Sequence, residues 1–162
     1  MFALGDKAVY PAHGVGVIER IESRKVSDQE EHFYVIRIID TGMTVMVPRS
    51  KANEVGLRHV ISKDKAEEVF KVFRKKEEIK STRVLPWNRR QRDYMAKLKS
   101  GSILDLAEIL KELTYIQSHK PLSFGEKKLL ETVRRLLIKE LACCHNCSED
   151  VVWGKINSLL SS

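Results

Sequence analysis

Two short clusters hold the residues best suited to chemistry in this sequence. The first, Cys143-Cys144-His145-Asn146-Cys147, places four soft donors within five residues, and thiolates and imidazole are the ligands zinc prefers. A structural zinc site draws paired ligands from two separated segments so that four can converge tetrahedrally, and this chain has no second pair. The cluster therefore reads as a packed helix end, with Cys143 as a small apolar side chain and His145 and Asn146 at the terminus. Three crowded cysteines do not make a disulfide framework, so reduced thiols are expected, with no metal and no other cofactor.

The second cluster is Pro86-Trp87-Asn88-Arg89-Arg90-Gln91-Arg92. Asn88 can cap a helix, which puts a large ring just ahead of the helix start and three arginines in its first turns. Guanidinium forks match phosphate oxygens, and a helix start adds free amides and partial positive charge for the same anion. Trp87 has two readings. As a wedge it would unstack a base step in a minor groove, at a cost that aromatic stacking on the bases offsets. As a hydrophobic staple it would pack on the first turn of its own helix.

Enzyme signatures are missing from the sequence. His13-Gly14-Val15-Gly16 contains G-x-G but no third glycine and no following helix, so its glycines read as turn residues. The chain has no phosphate-binding G-x-x-x-x-G-K-[ST], no H-E-x-x-H and no G-x-S-x-G. Glu149 and Asp150 sit where a helix start favours negative charge. Neither catalysis nor a small-molecule substrate is expected.

Composition places these clusters in a folded, soluble chain of 162 residues, 43% hydrophobic and 31% charged, enough for one ordinary domain or two small ones. No apolar run approaches the roughly 20 residues of a membrane helix, and the start, MFALGDKAVYP, lacks a secretory pattern, so a cytoplasmic location is expected. The net charge of +7 is unevenly placed. Residues 1–62 carry eight basic and eight acidic side chains, whereas residues 71–99 carry eleven basic against three acidic. Such a local surplus attracts polyanions, nucleic acid first among them; the plain alternative is a solvated helix face and connector.

The elements that must position these residues are of two kinds. Residues 5–62 read in period two, as GDKAVYP, GVGVIERIESRKV, HFYVIRIID and MTVMVP, separated by turn signals at His13–Gly14, Ser27–Glu31 and Thr41–Gly42. Four or five short antiparallel strands in a bent SH3-like or Tudor-like module are expected, with Gly14 and Gly16 permitting tight turns and Pro48 ending the last clear strand. From Ser62 the period becomes helical. Ser62 caps a helix to about Lys76, a basic connector covers 77–86, and a helix from Asn88 runs to Leu98 with Gly101 as its stop. Ser102 stands three residues before Asp105 at the next start; Ser123 and Glu126 match a capping box ahead of a long central helix; Ser148 caps the last helix. The fold class is α+β, with a β module in residues 1–61 and a bundle of about five helices in residues 62–162.

The series GDKAVYPAHGVGVI, HFYVIRI, TVMVP, VGLR, WNRR, SGS and LSFGEKKLLETVRRLLIKEL, colinear through nearly the whole chain, resembles the CarD/CdnL family of bacterial transcription regulators. The resemblance implies a Tudor-like domain, similar to the polymerase-interacting domain of transcription-repair coupling factor, that docks on the RNA polymerase β subunit. It also implies a helical domain that contacts promoter DNA and stabilises the open complex, without enzymatic activity. By resemblance Trp87 is the minor-groove wedge at the upstream edge of the bubble, Arg89, Arg90 and Arg92 are phosphate contacts, and Lys127 faces DNA. Arg24 falls where the family has a polymerase-contacting arginine. Met46 stands where some members have a second arginine, which leaves it as an apolar contact or as an alternating core position. The competing reading is a free-standing, non-specific nucleic-acid-binding protein, with tight and strongly salt-dependent binding in the absence of any partner.

Overall fold

Alternation in period two builds the first of two compact units, Met1–Val60, in the computed structural model, which describes residues 1–75 and 87–161. Its strands are β1 (Lys7–Tyr10), β2 (Gly14–Val26), β3 (Gln29–Ile38), β4 (Thr44–Pro48) and β5 (Arg58–His59), with a 3-10 turn at Arg49–Lys51. They form one antiparallel sheet in the order β4-β3-β2-β1-β5. Ala8, Ile18, Tyr34, Ile36, Ile38 and Val47 point to one face and meet Phe2, Ala52 and Leu57 in a common core.

Three local details depart from the sequence reading. Gly14 turns the chain at φ 102, as expected, but Gly16 lies within β2 for a different reason: a methyl there would stand 2.5 Å from Ile36 Cγ2. Only Ser27 and Asp28, both left-handed, make the β2–β3 turn, while Gln29–Glu31 already belong to β3. The register slips between Ile18 and Arg20, leaving Glu19 as the extra residue of a bulge. The amide of Ile18 donates to the Asp6 carbonyl at 2.9 Å and its carbonyl accepts from the Gly5 amide at 2.9 Å. Beyond that point β2 pairs, among the described residues, with β3 alone, and the two continue as a largely exposed ribbon.

The second unit, Ile61–Ser162, contains five helices among the described residues: α1 (Lys63–Arg74), α2 (Trp87–Ser100), α3 (Ile103–His119), α4 (Phe124–His145) and α5 (Glu149–Ser161). Their apolar stripes meet in one core, with Val69, Phe70 and Phe73, then Leu106, Leu110 and Leu113, then Leu129, Val133, Leu137 and Leu141, and finally Val152 and Ile156. The Ser62 hydroxyl accepts from the Lys65 amide at 3.2 Å, and the Ser148 hydroxyl from the Val151 amide at 3.3 Å. Buried Glu140 of α4 accepts from the Ile61 amide at 3.0 Å, fixing the start of the unit to its central helix.

The start of α2 differs from expectation. The helix already includes Trp87, so Asn88 lies inside the first turn and is not the residue ahead of it. Gly101 stops it at φ 75. Ser102 precedes α3 without a side-chain cap bond; the Ser100 hydroxyl instead accepts from the Ser102 amide and donates to Asp105. The expected connector at 77–86 lies outside the described residues.

Candidate functional site

On a helix of about 3.6 residues per turn, Trp87, Arg90 and Tyr94 fall on one face, while Arg89 and Arg92 fall on the opposite one. The inner face of α2 packs on α3, and its first turn meets the first turn of α4. Trp87 is half-buried there, and a methyl added at Gly125 would stand 3.2 Å from its Cζ2 and Nε1 atoms, so the missing side chain is what lets the indole approach. The Arg90 guanidinium lies 5.4 Å from the Trp87 ring centre and 6.0 Å from that of Tyr94.

Arg90 is therefore placed differently from a phosphate contact. It is buried, and its Nη2 donates to Glu126 Oε2 at 3.0 Å, the two side chains being 8% and 5% exposed. The other oxygen of Glu126 accepts from the Ser123 amide at 3.1 Å, and the Glu126 amide donates to the Ser123 hydroxyl at 3.3 Å, completing the capping box of α4. One carboxylate thus joins a helix cap to the inner face of α2. Burial by itself would raise the Glu126 pKa, but the Ser123 amide and hydroxyl, with Arg90, outweigh it and hold the carboxyl below its ordinary value. Burial pushes Tyr94 up to about 12, against the lowering effect of Arg90.

Outside this packed layer the surface is cationic and aromatic. Arg89 and Arg92 are exposed on the outer face of α2, and Lys127 and Lys128 are exposed in the first turns of α4. Phe124, at the first position of α4, is 83% exposed. A ring seated against Gly125 therefore has cations on the outer side of its own helix and on the neighbouring helix start.

The sheet unit carries the other two expected site residues on one face. Met46 pairs with Val35, which pairs with Arg20; Pro48 pairs with Phe33, which pairs with Glu22; Arg24 pairs with Glu31. Arg24 stands four residues beyond Arg20 on the same face, ~14 Å further along at ~3.4 Å per residue. Met46 is 38% exposed on β4, one of the two edge strands, so it is not a core position. Glu22 accepts from Arg20 at 2.6 Å and from Arg24 at 3.2 Å, and the Arg20 bond leads the lowering of its carboxyl pKa.

Comparison with known proteins covers both units. The family described as "CarD-like/TRCF RID domain" matches residues 2–61, and that described as "CarD, C-terminal domain" matches residues 68–157. The chain belongs to the CarD family. The "Putative transcription factor YdeB" of Bacillus subtilis (strain 168) is 36% identical over 149 residues, which span 92% of this chain and 95% of that protein. Among solved structures, CdnLNt from Myxococcus xanthus is 50% identical with a TM-score of 0.33, covering 38% of this chain and 87% of its own. The N-terminal domain of Myxococcus xanthus CarD is 36% identical with a TM-score of 0.32, covering 36% and 79%. This CarD-family chain is a transcription regulator, and its family is not one of enzymes.

Of the residues expected to act in this CarD-family chain, Trp87 lies against Gly125 at the start of α4, Lys127 is exposed in the first turns of the same helix, Arg89 and Arg92 lie on the far side of α2, and Arg90 turns inward. Sequence reasoning passed over Phe124, an aromatic outside the apolar period of α4 and next to its cap, and Tyr94, one turn beyond Arg90. Among the described residues no group of three or more His, Cys, Asp or Glu side chains is placed to hold a metal ion. His145 packs beside Phe70 with ring centres 6.1 Å apart, and Cys147 is exposed. No helix among the described residues is long and apolar enough to cross a membrane.

Proposed function

We propose that this CarD-family regulator docks on the β subunit of RNA polymerase through its sheet unit and stabilises the open promoter complex through Trp87. The observation that carries the reading is the half-buried indole seated on Gly125 where two helices that carry exposed cations meet, Arg89 and Arg92 on the outer face of α2 and Lys127 in the first turns of α4. A minor groove only ~6 Å wide is walled by phosphates, and proteins that insert an apolar wedge into it position that wedge with Arg and Lys contacts to the backbone. Arg90, being buried, contributes to the ring's surroundings and not to phosphate contact.

Phosphate contacts supply affinity without base identity, whereas an inserted ring distinguishes unstacked from stacked DNA. A protein with that preference shifts the promoter toward the melted state by its differential affinity and no more. Tethering by the sheet unit raises the local concentration of the helices at the promoter, so weak intrinsic affinity for free duplex suffices. The neutral charge of residues 1–62 suits a protein partner, and the face with Arg24 and Met46, beside the unpaired edge of β4, offers both polar and apolar contact.

Open-complex lifetime on a promoter with purified polymerase tests the reading. The wild-type chain lengthens it, Trp87→Ala loses most of the effect while still binding polymerase, and Arg24→Glu weakens capture of the β subunit without unfolding the sheet. No lengthening by wild type, with tight salt-sensitive binding to free DNA, would favour free-standing nucleic-acid binding instead.

A further inference from the structure

We infer that Arg90 and Glu126 are positioning residues for Trp87, their buried ion pair locking the indole in its seat on α4 before any DNA is met. The inference rests on the wedge reading of Trp87 and adds the residues that make the ring a rigid wedge. Glu126 divides its two oxygens, Oε1 to the Ser123 amide and Oε2 to Arg90, so the carboxylate cannot swing away from one partner without releasing the other. Arg90, held from one end by that carboxylate, lays its guanidinium beside the Trp87 ring, and its Nη1 is 3.5 Å from the Tyr94 hydroxyl. Gly125, the residue before Glu126, supplies the floor on which the indole rests.

The physical benefit is preorganisation. A tryptophan free to change rotamer loses that freedom when a base step closes on it, which weakens the preference for melted DNA. A ring already fixed by Gly125, Arg90 and the cap of α4 has lost it on folding, so more of the stacking energy appears as state preference. The lock is consistent with the helical phase of α2, in which the middle arginine faces inward and its neighbours outward.

Trp87 becomes the sole reporter once Trp153, the other of two tryptophans, is changed to phenylalanine. In that background Glu126→Gln keeps an oxygen for the Ser123 amide, as glutamine also fits a capping box, but removes the charge opposite Arg90. Arg90→Lys is a second variant, retaining charge without the planar fork. Ser123→Ala is the structural control, weakening the same helix start while leaving the ion pair. Glu126→Gln and Arg90→Lys are expected to shift Trp87 emission to the red, raise its acrylamide quenching and shorten open-complex lifetime most of the way to that of Trp87→Ala, with β-subunit capture unchanged. Ser123→Ala is expected to lower the melting temperature while sparing both readouts. Wild-type emission and quenching in both variants overturn the inference, as does an equal red shift in Ser123→Ala. A short lifetime for Trp87→Ala beside a wild-type lifetime for Glu126→Gln overturns this inference alone; a wild-type lifetime for Trp87→Ala overturns the wedge reading and the inference with it.

Discussion

Replacing Glu126 by alanine removes the carboxylate from an ion pair whose side chains are only 8% and 5% exposed, leaving the Arg90 guanidinium buried without it. Breaking a buried pair from one side costs about 3–5 kcal/mol. The same change opens the capping box of α4, and loss of a cap costs about 1 kcal/mol. The sum, about 4–6 kcal/mol, is a large part of the roughly 5–15 kcal/mol that holds an ordinary domain together. Arg90→Met, which buries an apolar chain of similar length, removes the cation that has lost its carboxylate, so the double variant Arg90→Met/Glu126→Ala costs clearly less than the two single changes added together. A double-mutant cycle by urea unfolding, followed by far-ultraviolet circular dichroism, measures the difference, and the helical signal reports on the unit that contains every helix α1–α5. The expected coupling is about 2–3 kcal/mol, the upper part of the range for contacting residues. A coupling below about 0.5 kcal/mol, typical of exposed pairs, would refute the claim that the pair is desolvated and fixes the helix start.

Acid sensitivity follows from the same carboxylate. Because Glu126 is held below its ordinary pKa when folded, its stabilising effect is fully present above the unfolded value of about 4.3 and is lost as pH falls through the lower folded value; thermal melts should show a steeper acid decline for wild type than for Glu126→Gln. Gly16→Ala forces a methyl to within 2.5 Å of Ile36 Cγ2, an overpacking worth about 1–3 kcal/mol, and faster hydrogen exchange in β2 and β3 with unchanged exchange in α4 is the expected result. Arg89→Ala and Arg92→Ala should each reduce the salt slope of promoter binding by about one while leaving stability near wild type. Arg90→Ala should do the reverse, and a reduced salt slope without destabilisation would return Arg90 to the phosphate contacts.

Much of the architecture was legible because it is local. Alternation in residues 5–62 marks strands wherever the fold lies, since side chains of an extended chain point to opposite faces in turn. The Ser123 and Glu126 capping box is legible for the same reason, both partners lying within one helical turn. The break in period at Ser62, the colinear family motifs and the basic surplus of residues 71–99 are likewise properties of the chain itself. Turn composition was a weaker guide. Five polar residues at Ser27–Glu31 suggested a connector, but the twist of the ribbon confines the turn to the two that take positive φ.

Nothing in Arg89-Arg90-Gln91-Arg92 says which guanidinium is withdrawn from solvent, because all three arginines are chemically alike. The rotation of α2 about its axis decides it, and that rotation goes with packing on α3 and with contacts to a helix start 36 residues beyond Arg90. Gly125 in turn reveals its use only when the Trp87 ring lies on it, and Gly16 only when Ile36 stands across the sheet. The sequence by itself determined the elements, their caps, the family and the charge available to meet a polyanion. Tertiary structure alone decided which cations are exposed and which ring is seated, since those depend on close contacts between residues far apart in the chain.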